Sequence, residues 1–141
     1  MASIGKIFGK QPIFSVGPEA TVAEATKEMA TKKVGSILVL QNGKLDGIFT
    51  ERDLLNKVIA AGLDPKTTLV SKVMSREVCA INTDETIADC YERMAKTHCR
   101  HLPIFEKGKL VGMVTMRDLL EKMMHEIDDE NQILKDYIHA R

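Results

Sequence analysis

The chain has 141 residues, of which 20 are basic and 20 acidic, so its formal net charge is zero. That length supports a compact body in which two short repeats share a core, and the charge balance lacks the basic footprint of a nucleic-acid binder. No apolar run approaches the ~20 residues needed to span a bilayer, and the N-terminal residues lack the apolar core of a signal peptide, so a soluble cytoplasmic protein, not bound to membranes, is expected.

In chain order the elements read as one unit written twice. Ile4, Ile7 and Phe8 open the first copy as a short helical turn, and Val70, Val73 and Met74 open the second. Strands are expected around 13–16 and again around 78–81. Thr21 then begins a helix with the capping box Thr21-x-x-Glu24, and Thr86-x-x-Asp89 is its relative. Val22, Ala25, Thr26 and Met29 share one packing face; Ile87, Cys90, Tyr91 and Met94 repeat it. A hairpin follows each helix. The apolar runs 36–40 and 45–49 flank Asn42-Gly43, a pair suited to positive φ, and 102–105 with 110–114 copy them around Lys107-Gly108. Pro103 cannot donate a ladder hydrogen bond and is expected at a strand start or a sheet edge. The closing helix of the first copy should stop at Gly62, before Asp64-Pro65. That of the second starts near Thr115 and runs through Met124, with a polar helical tail to Arg141. The chain thus divides into repeats 4–63 and 70–125, a linker at 64–69 and a tail at 126–141.

Cys79, Cys90 and Cys99 are odd in number and contain no Cys-x-x-Cys pair, which argues against a disulfide scaffold. Cys90 and Cys99 stand where Ala25 and Val34 stand in the first copy and read as small buried apolar residues.

The best-preserved segment carries the chemistry. Thr50-Glu51-Arg52-Asp53-Leu54-Leu55 returns at an offset of 65 as Thr115-Met116-Arg117-Asp118-Leu119-Leu120. Upstream, Gly43-Lys44-Leu45-x-Gly47 returns as Gly108-Lys109-Leu110-x-Gly112. A strand-to-helix corner leaves first-turn N–H groups and the positive end of the helix dipole facing outward, which suits phosphate. The Thr hydroxyl adds a hydrogen bond, and an ionised Asp53 or Asp118 accepts from a pair of ribose hydroxyls. Arg52 and Arg117 offer guanidinium donors to phosphate, although an exposed first-turn Arg is commonly just solvated. Thr-x-x-Asp alone is also a capping arrangement. Its duplication, with Arg inside it and a glycine-bearing hairpin before it, favours a ligand site in at least one repeat. The copies differ in charge: Lys33, Gly35 and Ser36 correspond to His98, Arg100 and His101, so a phosphate-bearing group is expected to reach the second segment, with Arg100 or His101 able to serve either cleft. His98 and His101 read equally well as ordinary half-buried surface residues. Glu51, opposite Met116, should disfavour a highly charged ligand at the first.

The resulting β-α-β-β-α unit, repeated, defines an α/β (α+β) fold and resembles the tandem CBS domain pair, the family named after cystathionine β-synthase. The resemblance covers nearly the whole chain. It rests on the paired Thr-x-Arg-Asp-Leu-Leu endings and on Arg100-His101-Leu102-Pro103-Ile104-Phe105. It implies two repeats related by pseudo-two-fold symmetry, with their sheets packed together in a stand-alone signal-transduction protein. It also implies adenosine-containing ligands (AMP, NAD(H) or ATP) in clefts between the repeats, and a homodimer. Under that resemblance the nucleotide-binding set is Val16, Ser36, Ile37, Thr50, Arg52, Asp53, Ile81, Arg100, His101, Leu102, Pro103, Thr115, Arg117 and Asp118. The ribose falls on the Asp and a phosphate near the Thr. The alternatives are an S-adenosylmethionine sensor or a constitutive dimerisation scaffold with vestigial pockets. An enzyme is not expected. His98, Cys99 and His101 lie close in sequence, but no partner set completes a metal site and no third group orients a Cys–His dyad. No catalytic cofactor or metal is implied. Output should pass to a separate effector protein, and the C-terminal helix with Ile127, Ile133, Leu134, Tyr137 and Ile138 is either that contact or a flank on the dimer.

Overall fold

Two tight turns set the registers of two three-stranded sheets in the computed structural model, which describes residues 2–9 and 11–139. Asn42 and Gly43 adopt φ of 53° and 77°, and Lys107 and Gly108 adopt 49° and 80°. Positive φ at both central residues is the turn whose twist matches an antiparallel hairpin. The first turn joins β2 (Ser36–Gln41) to β3 (Lys44–Thr50), and the second joins β5 (His101–Glu106) to β6 (Lys109–Thr115). Short parallel strands, β1 (Ser15–Val16) and β4 (Ile81–Asn82), flank β2 and β5, giving the orders β1-β2-β3 and β4-β5-β6. Each is only two residues long: β1 is the end of the strand expected around 13–16, and β4 overlaps the one expected around 78–81 only at Ile81.

Pro103 corrects its expected position, because it lies inside β5, the middle strand of its sheet. Its counterpart Leu38 donates its N–H to Phe14 O at 3.2 Å, towards β1. In the second sheet the parallel pairing begins only at Ile81↔Ile104, one residue beyond Pro103. The missing N–H therefore faces a stretch that has no ladder to lose, and the proline is edge-like on that side.

Both long helices close on the expected boxes. α2 (Val22–Lys32) has Thr21 and Glu24 bonded reciprocally, and α5 (Ile87–Thr97) has Thr86 and Asp89 doing the same. They end in left-handed residues, Lys33 and His98, each with φ 57°. Val22, Ala25 and Met29, and their counterparts Ile87, Cys90 and Met94, are buried, whereas Tyr91 turns outward and is exposed. After β3, the short α3 (Glu51–Asp53) continues as a π-helical stretch, Leu54–Ile59, with Leu55 O accepting from Ala60 N at 2.9 Å. Gly62, at φ 75°, closes this segment where a stop was expected. The second copy instead runs as one helix, α6 (Met116–His139), of 24 residues.

Compact units and sequence repeats do not coincide. One unit is Pro12–Val78; the other joins Met1–Gln11 to Cys79–Arg141. α4 (Val70–Val73), which opens the second repeat, buries Val70 and Val73 in a core with Val22, Ile37 and Phe49 of the first. α1 (Ile4–Phe8), which opens the first repeat, buries Ile4 in a core with Ile81, Leu102 and Val114 of the second. Val70 N to Ala20 O, 2.8 Å, and Ile4 N to Glu85 O, 2.7 Å, are equivalent docking bonds. The segments sit close to backbone: a Cβ on Gly47 would lie 2.8 Å from Met74 Sδ and from Ser75 O. Among the described residues, no helix is long and apolar enough to cross a membrane.

Candidate functional site

The two strand-to-helix corners have the same frame. Ser36 pairs with Thr50 and His101 with Thr115 at the open end of each hairpin, away from the turn. The first helical N–H is already taken at both: Glu51 N donates to Gly35 O at 3.0 Å, and Met116 N to Arg100 O at 2.8 Å. The third is taken as well, Asp53 N by Thr50 Oγ1 at 3.2 Å and Asp118 N by Thr115 Oγ1 at 3.1 Å. Both capping boxes are therefore realised, and the first turn is less free than the sequence implied. What each corner retains for a ligand is the Thr hydroxyl proton, the second N–H and the remaining capacity of the Asp carboxylate.

That capacity separates the two. Asp53 is buried, its side chain 7% exposed, and closely surrounded by partners. Thr50 N donates to Oδ2 at 3.1 Å, Ser75 Oγ to Oδ1 at 3.1 Å, and Lys57 Nζ lies 3.0 Å from Oδ1. Ser75 is fixed there by reciprocal backbone bonds with Ile48, at 2.9 and 2.8 Å. Asp118 is half-buried and accepts from Thr115 N at 3.1 Å through Oδ2. No counterpart of the Ser75 and Lys57 contacts reaches its second oxygen among the described residues. Charge follows the same division. Beside the first corner, the Glu51 carboxylate covers Gly35, where an added Cβ would come 3.2 Å from Oε1. Beside the second, Arg100 is exposed and His101 half-buried, with Met116 in place of the acid.

The other sequence candidates fall into distinct roles. Ile37, Ile81 and Leu102 are wholly buried in the two cores, and Pro103 is also buried, so what they offer a ligand is backbone. Val16 is half-buried against the first core and Ser36 is buried. Arg52 is exposed, and Arg117, 88% exposed, pairs with Glu121 at 3.3 Å along its own helix. That geometry is a solvated helix face. His98 is exposed and ends α5. Among the described residues, no three His, Cys, Asp or Glu side chains gather as a metal-binding group.

Three features escaped the sequence reading. Arg93 forks onto Glu85, at 2.6 and 2.9 Å, and also donates to Ala80 O at 2.8 Å, tying α5 to the segment before β4. The fork holds the Glu85 carboxyl below its ordinary value. Lys57, one turn after Asp53, was readable as an i, i+4 partner; Ser75 was not. Cys99 is only half-buried, and its Sγ lies 2.8 Å from Sγ of Cys79, while Cys90 is fully buried and desolvation pushes its thiol up to about 11. A concavity of about 370 Å³ bordered by Lys6, Thr83, Asp84 and Glu106 lies towards the turn end of the β5–β6 hairpin and does not include this corner.

Comparison with known proteins gives the frame a family. The CBS domain family model matches residues 4–60 and again 70–125. The CBS domain-containing protein YhcV of Bacillus subtilis is 37% identical over 112 residues, covering 79% of each chain. The mitochondrial CBS domain-containing protein CBSX3 of Arabidopsis thaliana is 32% identical over 125 residues. The chain spans 61% of CBSX3 and 17% of the meiotically up-regulated gene 70 protein of Schizosaccharomyces pombe, to which it is 33% identical. Among solved structures, a putative signal-transduction protein with CBS domains from Burkholderia ambifaria superposes with a TM-score of 0.83 at 29% identity, over 88% of this chain and 95% of that one. The CBS domain protein PAE2072 of Pyrobaculum aerophilum, solved in complex with AMP, shares the fold with a TM-score of 0.73 at 23% identity, over 82% and 88%. The twice-matched model, the paired sheets and the duplicated corner make this chain a member of the CBS domain family, with two CBS domains in tandem.

Proposed function

We propose that this CBS pair, a regulatory module, binds an adenine nucleotide without turning it over, and does so first at the Thr115–Asp118 corner. The observation that carries this reading is the contrast between the two carboxylates. Asp53 is occupied by its own protein partners, whereas Asp118 retains an oxygen for a ribose hydroxyl. Arg100 directly precedes β5 and His101 opens it opposite Thr115, so a phosphate beside the Thr115 hydroxyl would have the Arg100 guanidinium within the same segment and the positive end of a 24-residue helix. At the first corner the same phosphate would meet Glu51, and the ribose would have to displace Lys57 and Ser75. AMP is the leading ligand, supported by its presence in the related PAE2072 structure. NAD(H) is second, because it offers the same adenosine monophosphate half.

A second copy of the chain is the proposed partner, and α6 supplies a reason. Leu120, Met124, Ile127, Asn131, Leu134 and Ile138 recur at alternating spacings of four and three and are all exposed. That is the seam of a two-stranded coiled coil, with Asn131 at the position where a polar residue fixes a parallel register. In that register Glu130 of one helix meets Lys135 of the other. In the first domain, Leu55 and Ile59 are exposed at the positions equivalent to Leu120 and Met124. The nucleotide corner and the seam lie on one helix. A ligand that binds the two arrangements of α6 with different affinity would shift their populations.

A thermal-shift panel of AMP, ADP, ATP, NAD, NADH, GMP and S-adenosylmethionine tests the ligand. A ligand at a hundredfold excess over its Kd stabilises the fold by about 2.7 kcal/mol. AMP is expected to give the largest shift. No shift with any member would leave a dimerisation scaffold in place of a sensor, and a response to S-adenosylmethionine alone would replace the nucleotide.

A further inference from the structure

We propose that Cys79 and Cys99 form a reversible disulfide, a modification site within the second CBS domain. Their sulfurs lie 2.8 Å apart across 20 residues of sequence, in direct contact and short of a bond of ~2.05 Å. Both side chains are half-buried, which leaves them open to a small reagent, whereas Cys90 is sealed in the core. Neither cysteine belongs to a helix or strand, so closing the bond disturbs no ladder. The repeat sharpens the point. The equivalent residues in the first domain are Phe14 and Val34, both packed against its core. The second domain carries cysteine at both positions.

The location gives the bond a consequence. Cys99 directly precedes Arg100, whose carbonyl accepts the first N–H of α6, from Met116 at 2.8 Å. Cys79 precedes Ala80, whose carbonyl is held by Arg93 at 2.8 Å. A disulfide would fasten the Arg100 strand end to this anchored segment. Burial and the contact with Cys79 hold the Cys99 thiol above its ordinary value, which makes it the resolving partner. With a low-molecular-weight disulfide such as oxidised glutathione, the Cys79 thiolate attacks one sulfur and releases one glutathione thiolate. Cys99 then loses its proton and attacks Cys79 Sγ, expelling the second. Two protein thiols are oxidised, one glutathione disulfide is reduced to two thiols, and excess reduced glutathione reverses both steps.

The full chain, equilibrated with mixtures of oxidised and reduced glutathione, acid-quenched, alkylated and weighed intact, tests this. The expected product has lost two hydrogens, retains one alkylatable thiol at Cys90 after denaturation, and yields a linked Cys79–Cys99 peptide. C90A should give the same link, and in C99S a glutathione adduct should persist on Cys79. Wild-type protein that keeps all three thiols, accumulates glutathione adducts without the link, or joins copies through these cysteines would overturn the proposal.

Discussion

Replacing Asp118 by Asn isolates the charge that the second corner is expected to offer a ribose. The amide keeps an oxygen for Thr115 N, so the helix cap survives. The remaining position passes from a carboxylate to a neutral group. Hydrogen bonds to charged groups contribute about 1.5–3 kcal/mol and neutral ones about 0.5–1.5 kcal/mol, so the loss should be about 1–2 kcal/mol. That is a rise of about 5–30-fold in the Kd for AMP. Asp53→Asn should behave in the opposite way. Its carboxylate holds Thr50 N, Ser75 Oγ and Lys57 Nζ in a buried position, so the substitution should cost about 1–2 kcal/mol of stability. AMP affinity should change less than about twofold, a free-energy change within about 0.4 kcal/mol. Titration calorimetry with AMP and thermal melts of both variants separate the outcomes. If Asp53→Asn weakens AMP as much as Asp118→Asn does, the distinction between a closed and an open corner is wrong.

Arg100→Ala should weaken AMP about tenfold, the scale of one charge-assisted phosphate contact, and leave adenosine nearly unchanged; equal losses for the two would remove its phosphate role. Arg93→Ala should lower stability by about 1–2 kcal/mol, more than an exposed ion pair, because the fork is bidentate and half-buried. Glu85 is held below its ordinary value, so its share of that stability is present above the ordinary carboxylate range and disappears as pH falls through the folded value. Melting curves of wild type and Arg93→Ala should therefore converge as pH falls through and below the ordinary carboxylate range; a gap that stays constant would assign the effect to packing alone. Leu134→Cys, on the proposed seam, should cross-link two copies under mild oxidation, while the equally exposed Ile133→Cys should not. Equal cross-linking, or none at either position, would remove the parallel seam.

Much of the frame was legible because duplication doubles every local signal. Thr21-x-x-Glu24 and Thr86-x-x-Asp89 announced helix starts, and the Asn42-Gly43 and Lys107-Gly108 turns fixed the hairpins before any long-range contact was known. Pro103 was misplaced because β4 begins one pair later than a copied sheet would, and a strand end is set by its neighbour. At the corners, the residue types were correct and their availability was hidden. Asp53 and Asp118 share the Thr-x-Arg-Asp-Leu-Leu frame and differ locally only in Glu51 against Met116, and what closes one carboxylate is Ser75, 22 residues away, together with Lys57 on the π-helical stretch. The Cys79–Cys99 contact was missed for the same reason: spacing reveals a pair within one element, and this one forms between two segments that only the sheet brings together.

The exchange of opening segments decides how this chain can be cut and in what order it can mature. A fragment ending at the linker would retain the first hairpin and α2 but forfeit Val70 and Val73, leaving a hole beside Val22 and Phe49. The piece Pro12–Val78, by contrast, keeps Val70 and Val73 together with Val22, Ile37 and Phe49. During synthesis that interior can close while the rest of the chain is still being made. Ile4, emerging ahead of its partners, must wait for Ile81, Leu102 and Val114 and is among the last to be buried.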